Sequence, residues 1–330
     1  MNAVMIIPTG IGCAIGGHAG DATPAAKLLA ACCDKLILHP NVVNASDINE
    51  MPANALYVEG SMLDRFLEGE IELRQVRQNR ILLVVNPPIH NETINAASAA
   101  RATIGARVEI LQLQTPLKMT ARMEQSKIAS GMVEGWEELI QQVSQYDFDA
   151  LAIASEIKVD PIVEQNYWEK GGVNPWGGVE AIASRLIATA LNKPVAHAPV
   201  STEEAKDFDF VADPRMAAEV ISWAFLHCVL KGLHRAPRIG TGLSVRDIDC
   251  LITPINCVGR PHKACLSMGI PVIAVKENST VLNDTMPNEF ILVENYLEAA
   301  GFLMSMRAGV SRESVRRPLL ETCIHQCGEQ

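Results

Sequence analysis

The chain has no run of about 18 apolar residues, the length a helix needs to cross a bilayer. Its first residues pass straight into Val4-Met5-Ile6-Ile7, with no basic stretch and apolar leader before them, so no signal peptide is expected. It also lacks a dense basic stripe. Twenty-eight Lys and Arg stand against 38 Asp and Glu, for a net charge of −10, which argues against a nucleic-acid partner. The small cluster of Arg307, Arg312, Arg316 and Arg317 reads as a solvated helix face. There is no repeat of fixed period and no low-complexity segment, which excludes solenoids and arrays. No His-x-x-x-His pair marks a metal site. Cys323 and Cys327, with His325 between them, lie in a polar tail and have no second ligand pair. Neither a metal nor a cofactor is therefore required by the sequence.

What remains is a globular chain of 330 residues, 48% hydrophobic and 20% charged. That length suits two ordinary domains or one large one. Nine cysteines include the adjacent Cys32 and Cys33, and Cys228 and Cys265 fall in helical patterns. Free thiols in a reducing cytoplasm are expected. A homodimer is the default assembly.

Short apolar runs alternate with helical patterns, the signature of an α/β fold with mostly parallel sheet flanked by helices. Strands are expected at 3–8, 36–39, 81–86, 108–113, 150–155, 194–197, 250–254, 271–275 and 290–293. Helices are expected at 23–33, with Asp21 as N-cap, and at 92–104, 119–146, 177–191, 213–233, 261–268 and 296–306. Long loops at 160–176 and 199–213 suit lids or a hinge. The expectation is two Rossmann-like lobes, 1–160 and 161–330, with a cleft between them, although a single large domain also fits.

Two segments carry the chemistry. In the first, Pro8-Thr9-Gly10-Ile11-Gly12 runs into Gly16-Gly17-His18-Ala19-Gly20-Asp21 between a strand and a helix. Glycines there let the backbone approach a ligand, and a following helix aims N–H groups at an anion. Thr9, Gly10, Gly12, Gly16, Gly17 and Asp21 are candidate binding residues, with His18 as a proton carrier. In the second, Asn256-Cys257-Val258-Gly259-Arg260-Pro261-His262-Lys263 follows the strand at 250–254. A helix start and nearby cations favour the Cys257 thiolate, and His262 can serve as acid or base. Asn256, Arg260 and Lys263 suit a carboxylate or phosphate. Glu277 is a candidate base and Asn278 a binding residue at the next strand's end, and Ser201 and Thr202 join them from the long loop.

The Gly10-x-Gly12-x-x-x-Gly16 spacing resembles a variant dinucleotide fingerprint of NADP enzymes, but no acid follows the second strand to hold a ribose. The Gly16-Gly17-His18 turn and Gly269-Ile270-Pro271-Val272 also resemble segments of two-lobed nucleotide-sugar glycosyltransferases. Taken together, the two segments look like a family of unknown function from bacteria, cyanobacteria and plants, a resemblance that implies no activity. The residues themselves point to a soluble enzyme acting on a small anionic metabolite. Cys257, His262, His18 and Glu277 would move protons or attack, as in isomerases, lyases or hydrolases. A nucleotide-sugar transferase, an NADP-binding enzyme and a non-catalytic metabolite-binding protein stay open.

Overall fold

Both ends of the chain contribute strands to one parallel sheet, and the middle of the chain builds a second. The computed structural model describes residues 1–43, 50–200, 211–221 and 225–325. In chain order the elements begin with β1 (Asn2–Met5), α1 (Thr23–Cys32), β2 (Lys35–Leu38), β3 (Ala55–Tyr57), α2 (Gly60–Leu67), β4 (Leu73–Arg74), β5 (Arg80–Val85), α3 (Asn91–Ile104) and β6 (Arg107–Gln112). Then come β7 (Lys118–Met123), β8 (Ala129–Glu134), α4 (Trp136–Val143), β9 (Ala150–Ser155), β10 (Ile157–Lys158), α5 (Pro161–Lys170), α6 (Gly177–Leu191) and β11 (Val195–Pro199). The C-terminal part holds α7 (Ala217–Val220), α8 (Phe225–Arg235), β12 (Arg238–Ile239), β13 (Cys250–Pro254), α9 (Arg260–Ser267), β14 (Val272–Val275), β15 (Ile291–Val293), α10 (Tyr296–Ala308) and α11 (Arg312–Val315).

The first sheet has the order β15-β14-β13-β1-β2-β3, and the second β11-β9-β5-β6. Every pairing within these two sheets is parallel. The fold is therefore α/β with mostly parallel sheets flanked by helices, as the sequence indicates. Inner strands such as β9, β13 and β14 are buried along their whole length, because helices cover both faces.

The strand order does not follow a cut near residue 160. β9 and β11, on either side of it, are neighbours in the second sheet. β1 and β13 pair in the first, with Ala3 opposite Cys250, 247 positions further along the chain. α8 packs on β3 of the first sheet and on β5, β9 and β11 of the second, so it ties the two together. At that contact Gly232 has no room for a side chain, since a Cβ would lie 2.8 Å from the Tyr57 ring.

Other sequence expectations need correction. The helix expected at 119–146 is an antiparallel hairpin, β7 with β8, followed by the shorter α4. Met119 and Ala121 are buried on alternate positions of β7, which is a strand period. The loop expected at 160–176 contains α5, where the Asp160 carboxylate accepts from Ile162 N–H at 2.8 Å and Pro161 occupies the first turn. α2 was not foreseen. Its cap is Glu59, whose carboxylate accepts from Ser61 N–H at 2.9 Å and Met62 N–H at 3.2 Å. Asp21 does not cap α1, whose N-cap position is Ala22. Among the described residues no helix is long and apolar enough to cross a membrane.

Candidate functional site

Because β1 and β13 are paired, the turns that follow them lie side by side at the C-terminal edge of one sheet. They do not face each other from separate lobes. Both open onto a cleft of about 1260 Å³ that runs between the two sheets. Thr9, Gly10, Gly12, Gly16, Gly17, His18, Cys257 and His262 line one side of it. Glu156, Trp176, Glu180 and His197 line it from the second sheet and its helices. Of the other sequence candidates, Asp21, Asn256, Arg260, Lys263, Glu277 and Asn278 are not among its lining residues. Ser201 and Thr202 lie outside the described residues.

The glycine turn is held from within. Gly16 N–H donates to Asp21 Oδ1 at 2.6 Å, and burial pushes the Asp21 carboxyl up to about 6. Gly16 has φ +90°, and a Cβ there would meet Ile7 Cγ2 at 2.7 Å. Gly17 is forced by crowding, since a Cβ would fall 2.2 Å from the Cys13 carbonyl oxygen. Thr9 Oγ1 accepts from Asn41 Nδ2 at 2.8 Å.

His18 is 4% exposed and is the best-built chemical group of the cleft. Its Nδ1 lies 3.0 Å from the Tyr167 hydroxyl, and that hydroxyl donates to Glu219 Oε2 at 2.8 Å. The carboxylate can only accept, so the Tyr167 hydrogen points to Glu219 and the Tyr167 oxygen is left to accept from His18 Nδ1–H. No described residue provides Nε2 with a hydrogen-bond partner. Burial and the adjacent Glu219 charge push Tyr167 well above its ordinary value, which keeps the hydroxyl protonated. Asn174 donates to Glu219 Oε1 at 3.0 Å and accepts from Trp176 and Gly177 N–H, tying this chain to the start of α6.

The cysteine turn differs from its sequence expectation. Cys257 is 3% exposed, and burial pushes its thiol up to about 11, so the protonated form is favoured and not the thiolate. His262 is held down to about 4 by burial. Its Nδ1 accepts from Gly259 N–H at 2.9 Å, so Nε2 carries the proton and donates to Thr253 Oγ1 at 2.8 Å. One nitrogen holds the start of α9 and the other ties it to β13.

The remaining candidates take structural places. Arg260 pairs with Glu68 at 2.6 Å and approaches Asp64 at 3.7 Å, and Lys263 is exposed. Asn256 adopts φ +64° in the turn. Glu277 Oε1 accepts from Tyr296 N–H at 3.0 Å, at the start of α10, while Lys276 pairs with Glu294. Asn278 is fully buried. It accepts from Ile15 N–H and donates to Ile15 O and to the Tyr296 hydroxyl, stapling the glycine turn to the neighbouring strand end. Among the described residues no group of three or more His, Cys, Asp or Glu side chains is arranged to hold a metal ion.

Sequence reading missed Tyr167, Asn174 and Glu219. The structure also joins polar residues at two strand ends in a second hydrogen-bonded chain, in which Ser155 Oγ lies 2.9 Å from His197 Nε2, and His197 Nδ1 lies 2.8 Å from Glu180 Oε1. The charged lining of the cleft is mainly acidic: Glu59, Asp64, Glu92, Glu156, Glu164, Glu180 and Glu219 outweigh Lys158 and Arg185.

A chain of mostly parallel sheets flanked by helices, with a cleft at the ends of its strands, belongs to the large class of α/β folds. Within that class, this chain belongs to the family described as protein of unknown function DUF3326, which matches residues 2–316. It is similar to an uncharacterized lipoprotein, syc1174_c, of a Synechococcus species, with 36% identity across 94% of this chain and 92% of that protein. The relative's name contradicts the cytoplasmic location expected from the sequence, and that expectation is withdrawn. No solved structure matches the chain.

Proposed function

We propose that the chain is an enzyme that moves a proton on a small metabolite held in the cleft, with His18 as the acid–base group. The observation that carries this reading is the Glu219–Tyr167–His18 chain. It fixes one imidazole nitrogen and leaves Nε2 as a base at a cleft wall. Buried polar chains that leave one titratable atom unclaimed are characteristic of acid–base sites. Cys257 and His262 serve here as supports of the wall. The acidic lining favours a substrate with little negative charge over a polyphosphate or nucleotide, and so narrows the anionic class expected from the sequence.

A thermal-shift screen of small hydroxy, keto and amino acids, sugars and amines tests this. A ligand at a hundred times Kd raises stability by about 2.7 kcal/mol. The compound that stabilises the wild type is expected to be converted by it, and conversion by His18→Ala should fall by about a hundredfold or more. Equal conversion by His18→Ala overturns the assignment. Stabilisation without conversion would identify a binding protein instead.

A further inference from the structure

We propose that Ser155, buried just behind the lining of this cleft, is a nucleophile activated by His197 and Glu180, and that it attacks the acyl carbon of a carboxylic ester. β9 and β11 are parallel neighbours, with His197 opposite Ile153 and Pro199 opposite Ser155. Side chains two positions apart on adjacent strands share one face, so the register itself brings Ser155 against His197. α6 packs on β11 and contributes Glu180 from its first turn. The resulting distances are 2.9 Å from Ser155 Oγ to His197 Nε2 and 2.8 Å from His197 Nδ1 to Glu180 Oε1.

The proton positions follow from the acceptor. A carboxylate at Nδ1 only accepts, so Nδ1 carries the hydrogen and Nε2 receives Ser155 O–H. This is the tautomer in which an imidazole takes a serine proton, with the carboxylate holding the imidazolium that forms. Ser155 ends an inner strand of the second sheet, where ligands of parallel sheets bind. His197 and Glu180 line the cleft, as do Glu156, which follows Ser155, and Pro199, which sits beside it, while Ser155 itself is 3% exposed behind them and its Oγ also lies 3.5 Å from Met119 Sδ. Leu151, Ile153 and Val195 fill the same apolar layer. Three linked polar groups where apolar packing would suffice point to use.

In the reaction, Oγ bonds to the carbonyl carbon as its proton passes to His197 Nε2. The bond from carbon to the alcohol oxygen breaks, and the departing alcohol takes that proton. Water then attacks the acyl-serine and gives its proton to Nε2. Release of the carboxylic acid returns the proton to Ser155. Ile157 and Trp176, from the same apolar layer and on the cleft wall, suit an uncharged acyl group.

This goes beyond the proton-transfer reading and does not use His18. The test is a fluorophosphonate probe on the full chain, with peptide mapping, alongside p-nitrophenyl acetate. The expected result is one adduct, on Ser155, and a p-nitrophenolate burst. His197→Gln and Glu180→Gln should both label more slowly, the first by about a hundredfold or more. Wild-type mapping needs no variant to fold: no adduct on Ser155, or adducts only elsewhere, overturns the proposal. Equal labelling of a folded His197→Gln does the same. Ser155 unlabelled while His18→Ala loses metabolite conversion would sink this proposal and leave the proton-transfer reading standing. Ser155 labelled while His18→Ala converts normally would do the reverse.

Discussion

His18 Nδ1 and the Tyr167 hydroxyl lie 3.0 Å apart although 149 residues separate them, and Tyr167 is in turn 2.8 Å from Glu219. All three side chains are buried. Tyr167→Phe removes only an oxygen, but it leaves Glu219 Oε2 and His18 Nδ1 without their shared partner. Their own separation is 3.7 Å, beyond a hydrogen bond. Such orphaning costs about 1–3 kcal/mol. Urea unfolding of Tyr167→Phe is expected to show that loss, while the exposed Tyr146→Phe should stay within about 0.5 kcal/mol of wild type. Matching midpoints for both variants would mean that the three groups are not coupled.

Cys257 is expected to be a slow thiol. Burial pushes it up to about 11, so at pH 8 roughly one molecule in a thousand carries the thiolate that reacts. Cys323 is exposed. Iodoacetamide at pH 8, followed by peptide mapping of the native protein, should modify Cys323 well before Cys257. Alkylation of both at one rate would restore the activated cysteine inferred from the helix start and its neighbouring cations.

That reversal shows which part of the site could be read in the sequence. The strands β1, β9, β13 and β14 are short apolar runs, and the polar turns at their ends mark the edge where the cleft lies. His18, Cys257 and His262 were found for that reason. The sequence places Arg260 and Lys263 near Cys257, but a distance along the chain says nothing about burial. Arg260 turns to Glu68 instead, and desolvation decides the thiol. Tyr167 and Glu219 were hidden because each acquires its meaning from a partner far along the chain. The hairpin of β7 and β8 was hidden by composition. Met, Ala, Arg and Lys suit helices as readily as strands, and only the alternation of buried positions separates the two.

His262 makes the fold sensitive to acid, with a definite sign. Burial holds the imidazole down to about 4 in the folded chain, against an ordinary 6.5 when unfolded. Between those values the unfolded state binds more protons, so stability rises with pH and is lost as pH falls from 6.5 towards 4. The shift corresponds to about 3 kcal/mol. In His262→Asn the side-chain oxygen can still accept from Gly259 N–H, but nothing at that position titrates. The variant should lose about 1 kcal/mol at pH 7, with the bond to Thr253 gone, and then weaken less than wild type on acidification. Some slope will persist, because burial also holds His39 and His234 down. Urea melts of both proteins at pH 7 and pH 4.5 check this. Parallel losses would show that His262 is already protonated in the folded state, where its Nδ1 could no longer accept from Gly259 N–H.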